Sequence, residues 1–245
     1  MAEPLLELQP TPQDPAALAA CFDDAQLSLL EKLNRIDRDR LPKLPSLVQP
    51  RDWNLDELEL APLPARLDWA AELAKIVIVH QPLQAFGAYE AGALVHWGPV
   101  STGAGRSPTP AGLYFLNWRS AGRHSTVNRS WFLRWYFNFD NSSGRSFHQY
   151  ELPGGPGSHG CVRLLARDAQ YIFHWGEGWE LDESRRRVQA PGTPVFIVGD
   201  YDFENPCPWR DPALVADGFA AARSGRWLSY KALNLALDRP ALLKE

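Results

Sequence analysis

From residue 75 onward the chain breaks into short apolar runs separated by turn residues, and this rhythm limits what it can fold into. Ile76-Val77-Ile78-Val79 is a β-branched run of strand length. Residues 84–89 and 93–100 read as two further strands, joined by the hairpin-like turn Glu90-Ala91-Gly92. Ser101-Thr102-Gly103-Ala104-Gly105 and Thr109-Pro110-Ala111-Gly112 are turn chemistry, and a strand over 113–118 follows. Over 131–139 the period of two assigns Trp131, Leu133, Trp135, Phe137 and Phe139 to one face. Phe132, Arg134, Tyr136 and Asn138 fall on the other. Residues 145–150 form a strand and 193–198 the closing strand. Between them, 166–175 is a helix with Tyr171, Ile172 and Trp175 on one face. The expected fold class is mainly β with α, a β-sandwich or barrel-like domain over residues 75–200.

The flanks read differently. Asp14-Pro15 starts a helix, as N-cap and first helical residue, and Leu18, Phe22, Ala25, Leu29 and Leu33 give it one apolar face ending near Asn34. Residues 1–14 read as an irregular arm, and the proline-rich 35–67 as loop and extended chain. Residues 1–74 are thus a helical and extended N-terminal segment. Residues 201–245 are a C-terminal one, with helices expected over 213–223 and 227–237.

Composition excludes several classes. With 245 residues, 45% of them hydrophobic and 22% charged, the chain can bury a sizeable core and is not disordered. A net charge of -4 gives no electrostatic reason to expect nucleic acid or an anionic membrane, and no apolar run is long enough for a transmembrane segment. The start, Met1-Ala2-Glu3-Pro4, lacks the features of a signal peptide, which fits a cytosolic protein or a mature form with a methionine added. The cysteines are Cys21, Cys161 and Cys207, with no spacing that suggests zinc. Cys21 and Cys207 are either a pair, in an oxidising compartment, or two small buried hydrophobes.

The chemistry gathers between Phe147 and Leu164. His148, His159 and Cys161 fall within fourteen residues, with Gly154, Gly155, Gly157 and Gly160 freeing the backbone before the cysteine. A thiol becomes a nucleophile on losing its proton, and a nearby imidazole is the usual means. Cys161 reads as the nucleophile and His148, on a strand thirteen residues earlier, as its base; His159 competes for that role. Arg163 either holds loop carbonyls, the reading favoured here, or attracts a substrate carboxylate. Arg123 to Asn128 can cover the cleft as a lid, with His124 a candidate substrate contact. Tyr136, which points away from the Trp131/Trp135 face, and Tyr150 are further candidates for binding substrate.

Ser158-His159-Gly160-Cys161-Val162-Arg163-Leu164 resembles the signature of the L,D-transpeptidase (YkuD-type) catalytic domain. The strand 76–79, Ser101-Thr102-Gly103 and Thr109-Pro110-Ala111-Gly112 fall in the order that family has, so the resemblance covers roughly residues 75–200. Two features depart from the pattern: the short spacing from His148 to Cys161, and Gln149 where a small residue is usual. The resemblance implies that the Gln149 backbone carbonyl orients His148, that Gly160 and Cys161 offer N–H groups to an oxyanion, and that Ser158 and His159 shape the loop. It implies acyl transfer from a tetrapeptide stem of peptidoglycan, releasing the terminal D-alanine, through a thioester to an amine that forms a 3→3 cross-link. It also implies a periplasmic or cell-wall location, β-lactams of the carbapenem type as covalent inhibitors, and neither metal nor organic cofactor. Two alternatives stay open: an L,D-carboxypeptidase or amidase using the same Cys/His pair, or a catalytically silent peptidoglycan-binding module.

Overall fold

The N-terminal segment is not an irregular arm. In the computed structural model, which describes residues 4–228, β1 (Leu6–Pro10) pairs antiparallel with β2 (Ser46–Pro50). The single helix expected from Asp14 is two, α1 (Pro15–Cys21) and α2 (Asp24–Asn34). Asp14 caps α1 as expected, but Asp23 interrupts the stripe. Its side chain accepts from the N–H of Gln26, whose own side chain accepts from the N–H of Asp23, a capping box that restarts the helix. The buried face of α2 is therefore Leu27, Leu30, Leu33 and Asn34, while Ala25 is exposed.

The remaining strands are β3 (Lys75–His80), β4 (Ala85–Glu90), β5 (Ala93–Ser101), β6 (Gly112–Phe115), β7 (Arg119–His124), β8 (Phe132–Asp140), β9 (Arg145–Gln149), β10 (Val162–Leu164), β11 (Glu180–Leu181), β12 (Val188–Ala190) and β13 (Pro194–Val198). All but the β11–β12 pair form one mixed sheet, in the order β6-β13-β3-β4-β5-β10-β9-β8-β7. The β4–β5 turn has Ala91 and Gly92 at φ 43° and 78°, the positive values a tight hairpin requires. The sheet curls so that the chain passes from one edge to the other within a few residues: Leu116 N–H donates to Thr193 C=O (2.9 Å) beside β13, and Asn117 N–H to Asn138 C=O (2.7 Å) on β8. The fold is mostly β with few helices, a curled mixed sheet, as the sequence indicates.

Both faces of the sheet are covered, which is why 76–79 shows no polar alternation. Val77 and Val79 join Phe86, Phe137, Phe147 and Ile172 of α3 (Ala166–Trp175) in one core. Ile76, Ile78 and Trp97 join Leu33, Val48 and Leu60 from the N-terminal segment and Trp209, Val215 and Phe219 from the C-terminal one in another. Buried Arg35, which ends α2 at φ 56°, donates to Leu83 C=O (3.2 Å) and lies over the rings of Trp209 and Phe219. The helix expected over 213–223 is two short ones, α4 (Pro212–Ala216) and α5 (Ala220–Arg223), separated by Gly218 and Phe219 at positive φ. Of the helix expected over 227–237, residues 229–237 lie outside the described residues, and Trp227 and Leu228 belong to a turn and bend.

Strand β8 corrects the simple alternation. Trp135 sits at φ 53°, and the pairing register with β9 shifts between Arg134 and Phe137. This bulge puts Trp131 and Leu133 on the face of Tyr136 and Asn138, while Trp135, Phe137 and Phe139 pack toward α3 and the core. Strand β7 was not expected. Its sequence, Arg-Ser-Ala-Gly-Arg-His, has no β-branched residue, and it is a strand because β8 offers it a partner.

Asn34 joins α2 to β2. Its amide donates to the carbonyls of Leu30 and Val48 and accepts from the Val48 N–H, each at 2.9 Å, with the residue buried. Replacing it by alanine leaves buried backbone groups of β2 unpaired, so Asn34→Ala is expected to cost about 2–3 kcal/mol in urea unfolding. An unchanged midpoint and slope would show that β2 does not depend on this clasp.

Candidate active site

The site lies where β9 and β10 run parallel. Their register pairs Phe147 with Val162 and His148 with Arg163. One residue back along both strands, Cys161 meets Ser146, and its Sγ lies 3.6 Å from the Ser146 Oγ. Ser146 and His148, two apart on one strand, share a face, and His148 lines a cavity of about 270 Å³. His148, Cys161, Ser158, His159, Arg163, Tyr150 and Tyr136 all line it. His124 does not; it is exposed and packs edge-on against Phe132. Ser125, Thr126 and Val127, from the segment read as a lid, border the cavity on the β7–β8 turn. Phe147, facing the other way, is core.

The loop before Cys161 is fixed by the two turn motifs. Thr102 C=O accepts from the N–H groups of Gly157 and Ser158, both at 3.0 Å, and Ala104 N–H returns to Ser158 C=O at 2.9 Å. Thr109 Oγ1 accepts from Gly103 N–H (2.8 Å) and donates to Gly160 C=O (3.0 Å). Within the loop, Ser158 Oγ donates to Cys161 C=O (2.6 Å) and accepts from Gly160 N–H (3.0 Å). Gly160 stands at φ +102°, where a side chain would be strained. Its N–H is engaged by Ser158, so the expectation that Gly160 and Cys161 both offer N–H groups to an oxyanion is corrected at Gly160.

His148 has a defined tautomer. Its Nδ1 lies 3.1 Å from Gln149 C=O, and a carbonyl only accepts, so Nδ1 carries the proton and Nε2 the lone pair. Burial is the main cause that holds its pKa down, to about 4 from the ordinary 6.5; the Gln149 hydrogen bond raises it and the nearby Arg163 charge lowers it. His148 is therefore neutral at pH 7 and able to take a proton. His159 instead packs against Trp131, their ring centroids 5.1 Å apart. Arg163 lies over the Tyr150 ring at 4.6 Å and donates weakly to Glu151 C=O (3.4 Å). The Gln149 side chain faces a separate cleft on the other side, with Glu31, Asp37 and Arg167.

Two residues at the site were not singled out from the sequence. Ser146 had a readable signal, since it stands two before His148 on the same strand. Arg123 reads from sequence only as part of a loop, because β7 carries no strand signature of its own. The pairing of Cys21 with Cys207 does not occur. All three cysteines are free, Cys21 is exposed and so no buried hydrophobe, and Cys207 Sγ donates to Gly154 C=O (3.2 Å) in the loop that leads to Cys161.

A curled mixed sheet that brings a loop cysteine and a strand histidine into one cavity defines a class, and the sequence places the chain within it. Residues 74–197, just over half of the chain, match the YkuD family, the L,D-transpeptidase catalytic domain, and the chain belongs to that family. No curated protein matches. Among solved structures, the L,D-transpeptidase of Stackebrandtia nassauensis is 23% identical, with 52% of this chain and 57% of that one covered and a TM-score of 0.42. That of Mycobacterium smegmatis is 15% identical, with 51% and 59% covered and a TM-score of 0.42. L,D-transpeptidase 1 of Mycobacterium tuberculosis is 20% identical, with 51% and 62% covered and a TM-score of 0.38. The chain thus spans less than two thirds of the length of each of these structures.

Buried His148 and His80 share a titration. His80 is also held near 4 by burial, with its Nδ1 accepting from Leu83 N–H (3.2 Å). Above pH 6.5 both states of the chain hold these histidines neutral, and their full contribution to stability is present. As pH falls from about 6.5 to about 4 the unfolded chain takes up protons that the folded chain refuses, so stability is lost through that window. Urea unfolding at pH 7 and pH 4.5 is expected to show the loss, and His148→Gln is expected to reduce it. A pH dependence unchanged in His148→Gln would contradict the assigned environment.

Proposed function

We propose that the protein is a cysteine acyltransferase acting on peptidoglycan stem peptides, an L,D-transpeptidase in activity as well as in family. The observation that carries this reading is that Cys161 Sγ and His148 line one cavity, with the histidine buried, neutral and holding its proton on Nδ1. Cys161 is the nucleophile. Its thiol proton passes to His148 Nε2 as Sγ attacks the carbonyl before the terminal D-alanine. The Gln149 carbonyl keeps the imidazole in the tautomer this transfer needs. Ser146 Oγ, 3.6 Å from Sγ, sets the direction of the thiol, and the Cys161 N–H serves as a donor to the developing oxyanion. Collapse breaks the C–N bond, and the proton on His148 leaves with the amine. A second amine then attacks the thioester and gives its proton to His148, the C–S bond breaks, and the thiolate regains that proton. Water in place of the amine would make the same site a carboxypeptidase, so the acceptor decides between cross-linking and trimming.

The setting that follows is the periplasm or cell wall, where the stems are. Among the described residues no helix is long and apolar enough to cross a membrane. A carbapenem presents an acyl group to the same thiol. One solved structure, of the LD-transpeptidase LdtMt1 in complex with imipenem, is 19% identical, with 51% of this chain and 59% of that one covered and a TM-score of 0.42. For the present chain, stoichiometric carbapenem labelling that disappears in Cys161→Ala is expected.

The deciding experiment is incubation with purified muropeptides and product identification by mass spectrometry. The wild-type chain is expected to release D-alanine and form 3→3 dimers, and Cys161→Ala to be slower by at least about a thousandfold. Trimmed monomers alone would indicate water as acceptor. Turnover that survives in Cys161→Ala would defeat the reading, and muropeptide binding without turnover or labelling would make the domain a binding module.

A further inference from the structure

Among the described residues, the cavity that holds Cys161 is lined by three arginines, Arg123, Arg145 and Arg163, and by no aspartate or glutamate. The whole chain carries a net charge of -4, so this cationic lining is a local feature. Two of the three have their guanidinium groups engaged. Arg145 donates to Asp140 Oδ2 (2.7 Å) and Ser143 Oγ (3.0 Å), and Arg163 lies on Tyr150 with a hydrogen bond to Glu151 C=O. Arg123 differs. Among the described residues its guanidinium has no hydrogen-bond acceptor, yet it is held in place by two rings, lying 5.0 Å from the centroid of Trp118 and 4.9 Å from that of Tyr136. Those rings stack on each other at 5.1 Å and are themselves anchored. Trp118 Nε1 donates to Asn141 Oδ1 (2.9 Å) and Tyr136 OH to Gly144 C=O (3.0 Å).

A planar cation fixed by its faces keeps its edge, which carries the N–H groups, open to a planar anion. We propose that Arg123 is a specificity residue that binds a carboxylate of the acyl donor, one remote from the bond that breaks. This rests on the acyl-transfer reading above. The sheet sets the reach: β7 is separated from β9 by β8, two steps of about 4.8 Å, and the register brings Arg123 level with Tyr150, two residues along from His148, so the two backbones lie roughly 12 Å apart. Extended peptide advances about 3.3 Å per residue, so a carboxylate at this distance lies more than one residue from the reacting carbonyl. In the proposed reaction only one residue lies beyond that carbonyl on the leaving side. The carboxylate therefore belongs to the acyl side of the donor, and the released residue's own carboxylate falls nearer Arg163.

The test uses synthetic tetrapeptide donors that differ only in whether the acyl-side carboxylate is free or amidated. Calorimetric binding to the full chain carrying Cys161→Ala is expected to favour the free acid over the amide by about tenfold or more, in line with one charge-assisted bidentate contact. Adding Arg123→Gln is expected to remove that preference by weakening the acid and leaving the amide within about twofold, and Arg123→Lys to restore part of it. A wild-type pocket that binds acid and amide alike, or an Arg123→Gln change that weakens both equally, overturns the proposal. Turnover by the chain with Cys161 intact is read separately. Retained acid preference without release of the terminal residue would sustain the subsite and defeat the acyl-transfer reading, whereas turnover without acid preference would do the reverse.

Discussion

The parallel pairing of β9 with β10 is the constraint on which the rest depends. Two parallel strands cannot be joined by a tight turn; the chain must travel back along its own length, which takes a dozen residues or more. Here the return runs from Tyr150 to Cys161, without a helix, close to the shortest connection that pairing allows. The short interval between His148 and Cys161 is therefore a geometric floor and not a sign of a different site. It also explains the composition of the connection. A return this short must bend sharply and lie flat, and it does so through Gly154 and Gly160 at positive φ and a series of hydrogen bonds to Thr102 and Thr109. The turn motifs around residues 101–112 thus bear on the site indirectly, by fixing where the cysteine can stand.

The same pairing fixes the electrostatics. Placing His148 inside a sheet buries it, and burial favours the neutral imidazole. A neutral imidazole beside a carbonyl has one choice of tautomer, with the proton toward the carbonyl and the lone pair away from it. Since the carbonyl belongs to the backbone of residue 149, the side chain there is free to vary, and Gln149 in place of a small residue leaves the arrangement intact.

Much of this was legible in the sequence because it is local. Strands rich in β-branched residues, the α3 helix and the cysteine signature are set by neighbours in sequence, and they lie where the residues place them. What was not legible depends on partners distant in sequence or on a single backbone angle. β1 pairs with a strand some forty residues later and β7 takes its conformation from β8, so neither is visible in its own residues. The bulge at Trp135 is one residue at positive φ, yet it moves Leu133 to the opposite face from the one period two assigns. The break between α1 and α2 is the reverse case: Asp23 and Gln26 spell a capping box, but a continuous apolar stripe masked it. At the site, Ser146 is legible from its place two before His148 on one strand, whereas Arg123 emerges only once β7 has β8 as its partner.

Outside residues 74–197 lie the segments that cover the outer face of the sheet. Along β3, Val77 and Val79 face the interior shared with α3, while Ile76 and Ile78 face the opposite way, toward Leu33, Val48, Trp209 and Phe219. Removing both flanking segments would return Ile76, Ile78 and Trp97 to water, at about 2 kcal/mol for each large side chain. It would also strip the partners from one side of a strand whose other side supports the cysteine's sheet. Arg35 shows how closely these layers are joined. It is a buried cation with no carboxylate hydrogen-bond partner among the described residues, held by the carbonyls of Lys32, Leu33 and Leu83 and the faces of Trp209 and Phe219, and a charge so placed is tolerable only while all of them stay packed. The flanks are therefore part of the same folding unit as the strands they cover, and the rigidity of the strand pair that carries His148 and Cys161 rests on both faces of the sheet being filled.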